Sequence, residues 1–274
     1  MRTTPKQLIS LCLFTGFLFG SLHQVQAQDA NAIVKKMVLT YKAFNTYTET
    51  SEAKIALLGA PSQIQTTSFK FQKPSKFFVQ TSDPQSGTLA IYSDSTQVSV
   101  YGGRQNIFTK RDYAGNFVST VRAYEKVAKE MLDMNITQIL SPISLMTAGE
   151  NGLREARNFR YLGTKSVNGR PAHVVASLVD LTWLTTIVGK QDFLPENSQV
   201  KLWIDKQSNL MVHAVIQFVW RAKIQRPGVK DKTVLQGMVM DEVHRNQFVD
   251  KPIEADVFRF APPAGSKQIF PETR

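Results

Sequence analysis

The chain has 274 residues, with 33 basic against 22 acidic side chains and a net charge of +11 at neutral pH. Its single cysteine, Cys12, lies in the N-terminal apolar segment, which excludes disulfides, thiolate metal sites and thiol catalysis from the remainder. The basic residues are scattered singly, with no basic helix, so nucleic acid is not an expected partner. An anionic membrane surface is the better use of the charge, although a basic soluble surface accounts for it equally well.

The first residues read as a targeting segment. Arg2 and Lys6 form a charged start, Leu8 to Leu22 an apolar run, and Val25-Gln26-Ala27 a small-residue cleavage site. That pattern predicts a secretory signal peptide over residues 1–27, cleaved after Ala27. Ser10, Thr15, Gly16 and Gly20 interrupt the apolar run, which falls short of the ~20 residues of a membrane span. Leu11 before Cys12 speaks against lipidation. Loss of Arg2 and Lys6 lowers the charge from +11 to +9. A cysteine-free exported chain suits the bacterial periplasm, and residues 28–274 are expected to form one domain.

In the mature chain, Asp29 to Phe44 reads as a capped helix, with Ile33, Met37, Tyr41 and Phe44 on one face. Predicted strands follow at Tyr47–Leu58, Gln63–Gln72, Lys76–Thr81, Leu89–Tyr92, Gln97–Tyr101 and Gln105–Thr109. Val121–Asn135 is a second predicted helix, and a third, shorter one runs from Ser141 to about Ala148. Asn158–Lys165 and Pro171–Asp180 flank Asn168-Gly169, the strongest short hairpin signal. Leu181–Asn197 is rich in large apolar groups but broken by Gly189 and Pro195. It is expected to extend the preceding strand and then loop over the sheet. Val200–Asp205 is the next predicted strand, Lys232–Phe248 a long later one, and Phe258–Phe260 a last one after a helical turn at Glu254–Val257.

The chain is organised around Val200–Lys223, whose second half alternates with period two. Val212, Ala214, Ile216, Phe218, Trp220, Ala222 and Ile224 alternate onto one wholly apolar face. Met211, His213, Val215, Gln217, Val219, Arg221 and Lys223 fall on the other. About 14 residues at about 3.3 Å each span roughly 45 Å, longer than a usual strand. A long antiparallel strand with one apolar face suits a sheet that curls around a helix, a second sheet or a ligand. The predicted class is α+β: an antiparallel sheet with two or three helices against one face.

The order of these elements resembles the LolA/LolB superfamily, which includes the RseB and LppX types. The resemblance rests on VLTYKAFNTYTE ending at Glu49, FKFQKPSKFF from Phe69 to Phe78, and YLGTKSVNGRPAHVV from Tyr161 to Val175. It also rests on LWID from Leu202 to Asp205 and FRFAPPAG from Phe258 to Gly265. Together these phrases cover nearly the whole mature chain. The resemblance implies a strongly curved sheet, an unclosed β-barrel, with helices on its concave side and an acyl chain or lipidated peptide held between. It makes Lys73 and Lys76 the candidates for the basic residue of the proline phrase.

No catalytic or metal signature accompanies this. His173, His213 and His244 each stand alone on predicted strands, and there is no His-Glu-x-x-His, Gly-x-Ser-x-Gly or phosphate loop. Neither an enzyme nor a cofactor is expected. The candidate ligand lining is Val212, Ala214, Ile216, Phe218 and Trp220, with Met131 from the second predicted helix. The same face also reads as plain core beneath the helices. Two functions follow: a periplasmic binding or carrier protein for a hydrophobic or lipidated ligand, or a sensor module that binds an envelope protein.

Overall fold

The computed structural model describes residues 29–84, 87–112, 158–178, 192–193, 197–226 and 229–269. The chain enters the described fold through α1 (Ala30–Ala43), where the Asp29 carboxylate accepts a hydrogen bond from the Asn31 N–H and caps the first turn. Ala30, Val34, Met37, Val38 and Tyr41 make its buried stripe. The stripe is rotated slightly from the expected one, leaving Ile33 only partly buried. Phe44 ends the helix in an extended conformation. Asp250 then accepts from the N–H groups of Asn45 and Thr46 (2.7 and 3.2 Å), tying the helix–strand junction to a residue 205 positions further along the chain.

Among the described residues thirteen strands follow. They are β1 (Thr46–Leu57), β2 (Gln63–Gln72), β3 (Lys76–Asp83), β4 (Gly87–Ser93), β5 (Gln97–Gly102) and β6 (Ile107–Asp112). Next come β7 (Arg160–Val167), β8 (Arg170–Leu178), the short β9 (Asp192–Phe193) and β10 (Gln199–Asp205). Last are β11 (Met211–Arg226), β12 (Val229–Val249) and β13 (Lys267–Gln268). They form one unclosed curved sheet in the order β13-β6-β5-β4-β3-β2-β1-β12-β11-β10-β8-β7, with β9 pairing β11. Every pairing is antiparallel except β13 beside β6. The central join is β1 to β12, which brings residues near the two ends of the chain into register, Tyr47 opposite Val249 and Ile55 opposite Met240.

Alternation sorts each strand onto two faces. The inner face carries Tyr47 and Ala53, Phe69 and Phe71, Phe77 and Val79, Leu89 and Ile91, and Val98 and Val100. It continues through Met240, Ala214, Ile216 and Phe218 to Val200, Leu202, Ile204 and Val175. With the buried stripe of α1 these residues form a single core. The helix lies against β7 and β10, and Tyr41 packs edge-on to Phe44 and Tyr47. Lys73 donates from Nζ to the Lys42 carbonyl at the end of the helix, 2.7 Å away. The basic residue of the proline phrase thus serves as a helix C-terminal partner.

Two irregularities reset the alternation. Ile204 pairs with Met211 but Trp203 pairs with His213, so Val212 is an extra, bulged residue. Met211 therefore joins the inner core, the position that simple alternation assigns to Val212, and Val212 is buried outside that core. On β12 a second bulge falls where Thr48 pairs with Phe248 and Thr50 with Arg245, and Asn246 adopts φ 50° there. It turns Gln247 and Val249, rather than the next even-numbered residues, toward the core.

The C-terminal segment also differs from expectation. Ala255–Phe258 forms a short 3-10 turn, as expected near Glu254, but Phe258–Phe260 is not a strand. Phe260 instead packs on the outer face among Tyr92, Tyr101 and Phe108, at 5.3, 5.9 and 5.2 Å between ring centroids. Pro262 and Pro263 lack the N–H groups a ladder needs. The chain pairs only beyond them, at Lys267 and Gln268 along β6. Among the described residues there is one α-helix rather than two or three. The helices expected at Val121–Asn135 and Ser141–Ala148 lie outside those residues.

Candidate functional site

The candidate site is the inner face where β1, β12 and β11 meet. Strand β11 gives it Ala214, Ile216 and Phe218, each 1% exposed or less, and Trp220 packs partly buried at its edge. Opposite them in register stand Glu242, Met240 and Met238 of β12. Strand β1 adds Ser51, Ala53 and Ile55 opposite His244, Glu242 and Met240. Of the candidate lining residues, Ala214, Ile216, Phe218 and Trp220 come together here, and Val212 is displaced by the bulge. Met131 lies outside the described residues.

Sequence reasoning missed a polar cluster set into this apolar face. Tyr47 donates its hydroxyl proton to Glu49 Oε2 at 2.7 Å. His244 Nδ1 approaches the same oxygen at 3.1 Å. Gln247 donates from Nε2 to the Met211 carbonyl at 2.8 Å and to the Tyr47 hydroxyl at 3.1 Å. The Met211 N–H donates to the Tyr41 hydroxyl at 3.3 Å, and Ser51 donates to Glu242 at 2.6 Å. Both bulges serve the cluster: one brings in Met211, the other Gln247. No sequence signal marked it: His244 and Gln247 fall on opposite faces of an unbroken strand, and only the bulge brings them together.

Burial and charge act together here. Burial alone would lower the His244 pKa; the charges of Glu49 and Glu242 and the hydrogen bond to Glu49 outweigh it and raise it to about 9. Burial and then the Glu49 charge push the phenols of Tyr41 and Tyr47 well above their usual range. The imidazolium and the Glu49 carboxylate thus form a buried ion pair, with two neutral phenols beside it.

The other two histidines sit apart. His213 is on the outer face, stacked on Trp203 at 4.2 Å and 2.7 Å from Asp241. His173 lies near the Tyr161 hydroxyl, and burial with the charges of Lys206 and Lys36 lowers its pKa. Among the described residues no three acidic, histidine or cysteine side chains gather as a metal site would need.

Solved structures similar to this chain have low sequence identity. A LolA superfamily protein from Nitrosomonas europaea is 10% identical, with a TM-score of 0.34 over 84% of this chain and 97% of that one. The Mycobacterium tuberculosis lipoprotein LppX is 11% identical, with a TM-score of 0.38 over 83% of this chain and 100% of that one. A putative outer membrane lipoprotein-sorting protein domain from Vibrio parahaemolyticus is 10% identical, with a TM-score of 0.32 over 82% and 94%. No curated protein matches the sequence. Among the described residues no helix is long and apolar enough to cross a membrane. A family model described as "predicted periplasmic protein" matches residues 30–270, and the chain belongs to that family, DUF2092.

Proposed function

We propose that the protein is a periplasmic binding or carrier protein for a lipid, lipidated or otherwise apolar ligand held against the inner face of the sheet. The observation that supports this is the extent of that face. Apart from the polar cluster between β1 and β12, it runs apolar from Val98 on β5 to Val175 on β8, across an unclosed sheet, with α1 against β7 and β10 at one end. An acyl chain gains about 0.8 kcal/mol for each CH₂ it buries, so such a surface holds one with few polar contacts. Met211, Met238 and Met240 add flexible side chains that adapt to a ligand's shape.

Mass spectrometry of an organic extract from protein purified gently out of the periplasm tests the reading. A stoichiometric lipid is expected from the wild type. It is expected to be lost from a folded Phe218→Glu variant and kept by Val219→Glu on the outer face. An empty extract from folded wild-type protein overturns the reading, and a folded Phe218→Glu protein that keeps its lipid overturns this placement. A second reading, a module that binds an envelope protein, draws on three exposed leucines: Leu57 at the end of β1, Leu58 just after it and Leu235 on β12. It predicts a stable protein partner whose binding is lost on Leu235→Lys.

A further inference from the structure

Two buried atoms of the inner polar cluster, His244 Nε2 and Gln247 Oε1, have no hydrogen-bond partner among the described residues. Their chemistry follows from the opposite end of each side chain. Gln247 gives its Nε2 protons to the Met211 carbonyl and the Tyr47 hydroxyl, which leaves Oε1 as an acceptor. His244 Nδ1 faces a carboxylate oxygen and so carries a proton, and the ring geometry turns Nε2 away from Glu49. A buried polar atom left unpaired costs about 1–3 kcal/mol, so each calls for a ligand or a water. Gln247 contacts Met211 and Tyr47, His244 stands opposite Ser51, and the same inner face continues from Glu242 opposite Ala214 to Met240 opposite Ile216, where an apolar chain would lie.

We propose that this cluster binds the polar group of an amphiphile, and that the group is one that both accepts and donates a hydrogen bond, an amide or a hydroxyl. His244 Nε2–H donates to its oxygen, and Gln247 Oε1 accepts from its N–H or O–H. Charge excludes an anionic head: Glu49 and Glu242 place two carboxylates beside one imidazolium. An ester satisfies only the donor, and a hydrocarbon neither atom. The assignment rests on the ligand-binding reading above and adds the chemistry of the head to it.

The test uses the mature protein and the neutral fluorophore N-phenyl-1-naphthylamine, displaced in turn by dodecanamide, dodecan-1-ol, methyl dodecanoate and dodecanoate. The amide and the alcohol differ from the ester by the bond to Gln247 Oε1, and a buried acceptor left without it corresponds to about tenfold. The amide and the alcohol are therefore expected to displace the dye at about tenfold lower concentration than the ester or the carboxylate. Gln247→Met is expected to remove the advantage of amide and alcohol over ester. The paired variant Glu49→Gln with His244→Phe, which leaves no buried charge unpaired at that contact, is expected to weaken amide, alcohol and ester alike toward the level of a bare chain. If the dye does not bind, the ligand-binding reading fails and takes this assignment with it. If the dye binds but all four compounds displace it equally, or Gln247→Met keeps the wild-type preference, this assignment alone is overturned and water fills the two positions.

Discussion

Nδ1 of His244 lies 3.1 Å from Oε2 of Glu49, with both side chains withdrawn from solvent and 195 residues apart in the chain. The contact joins β12 to β1 at the centre of the sheet, within the polar cluster set into the inner face. A buried pair of this kind is costly to break from one side, because the remaining charge is left without a partner.

Stability is therefore expected to fall as the solution becomes alkaline. The folded-state pKa of His244 is about 9, above the 6.5 of an unperturbed histidine. A raised pKa means that the folded state holds the proton more tightly. The contribution is complete below pH 6.5, declines between 6.5 and about 9, and is gone above that. Its size is at most roughly 3 kcal/mol. Urea unfolding midpoints measured from about pH 6 to about pH 9.5 are expected to drop in the wild type and stay level in the paired Glu49→Gln, His244→Phe variant. Equal slopes in both proteins would remove His244 as the source.

Single replacements are expected to be worse than the pair. Glu49→Gln or His244→Phe alone strands a buried charge and is expected to cost about 3–5 kcal/mol. The paired variant is expected to cost less than the sum. Equilibrium unfolding of the four proteins of this cycle gives the coupling directly. Strict additivity would show that the two groups do not interact.

Asp205 is a second fixed point. Its buried carboxylate accepts from the N–H groups of Gln207 and Ser208, the Ser208 hydroxyl and Arg170 Nε, at 2.6–3.1 Å. Burial raises its pKa, but the bonds from Ser208 and Arg170 outweigh this and hold it below the usual aspartate range. The turn between β10 and β11 is thus fastened to the β7–β8 hairpin. Asp205→Ala is expected to cost roughly 2–3 kcal/mol, read as a lower unfolding midpoint. The wild type is expected to lose the same contribution in acid as pH falls through the depressed pKa. A variant as stable as the wild type would show that the turn holds without its carboxylate.

Phe260 anchors the C-terminal segment through ring contacts to Tyr92, Tyr101 and Phe108, with Lys110 Nζ 5.5 Å from its ring centroid. Phe260→Ala is expected to free the segment and expose the N–H groups of Lys267 and Ile269, which donate to Asn106 and Phe108. Hydrogen exchange at those two amides is expected to quicken while exchange on β1 and β12 stays slow. Unchanged protection at Lys267 would assign the anchoring to the strand pairing itself.

Filling of the inner face is expected to matter more than the outer stack. Phe218→Ala removes a fully buried ring and is expected to cost about 3–5 kcal/mol. Trp203→Ala, which removes the exposed-side partner of His213, is expected to cost less. Similar losses from both in denaturant unfolding would mean that the outer face is packed as firmly as the inner one.

The sequence by itself determined most of the strands and the facing of their central residues. Period-two alternation marked Ala214, Ile216 and Phe218 as one buried row, and Asn168-Gly169 marked the turn between β7 and β8, because these patterns are local and follow from backbone geometry. The order of its phrases resembled one family type, and its leading segment predicted export. Only the tertiary structure decided that Met211 rather than Val212 enters the core, since a bulge is fixed by the register of the neighbouring strand, Trp203 against Ile204. It also decided that Phe260 becomes a plug and not a strand, because its partners Tyr92 and Phe108 lie on distant strands. The meeting of Glu49 with His244 lay beyond local pattern altogether. Nothing in the neighbourhood of either residue signals the other, and only the pairing of β1 with β12 brings the two charges close enough for their attraction to exceed the cost of burying them.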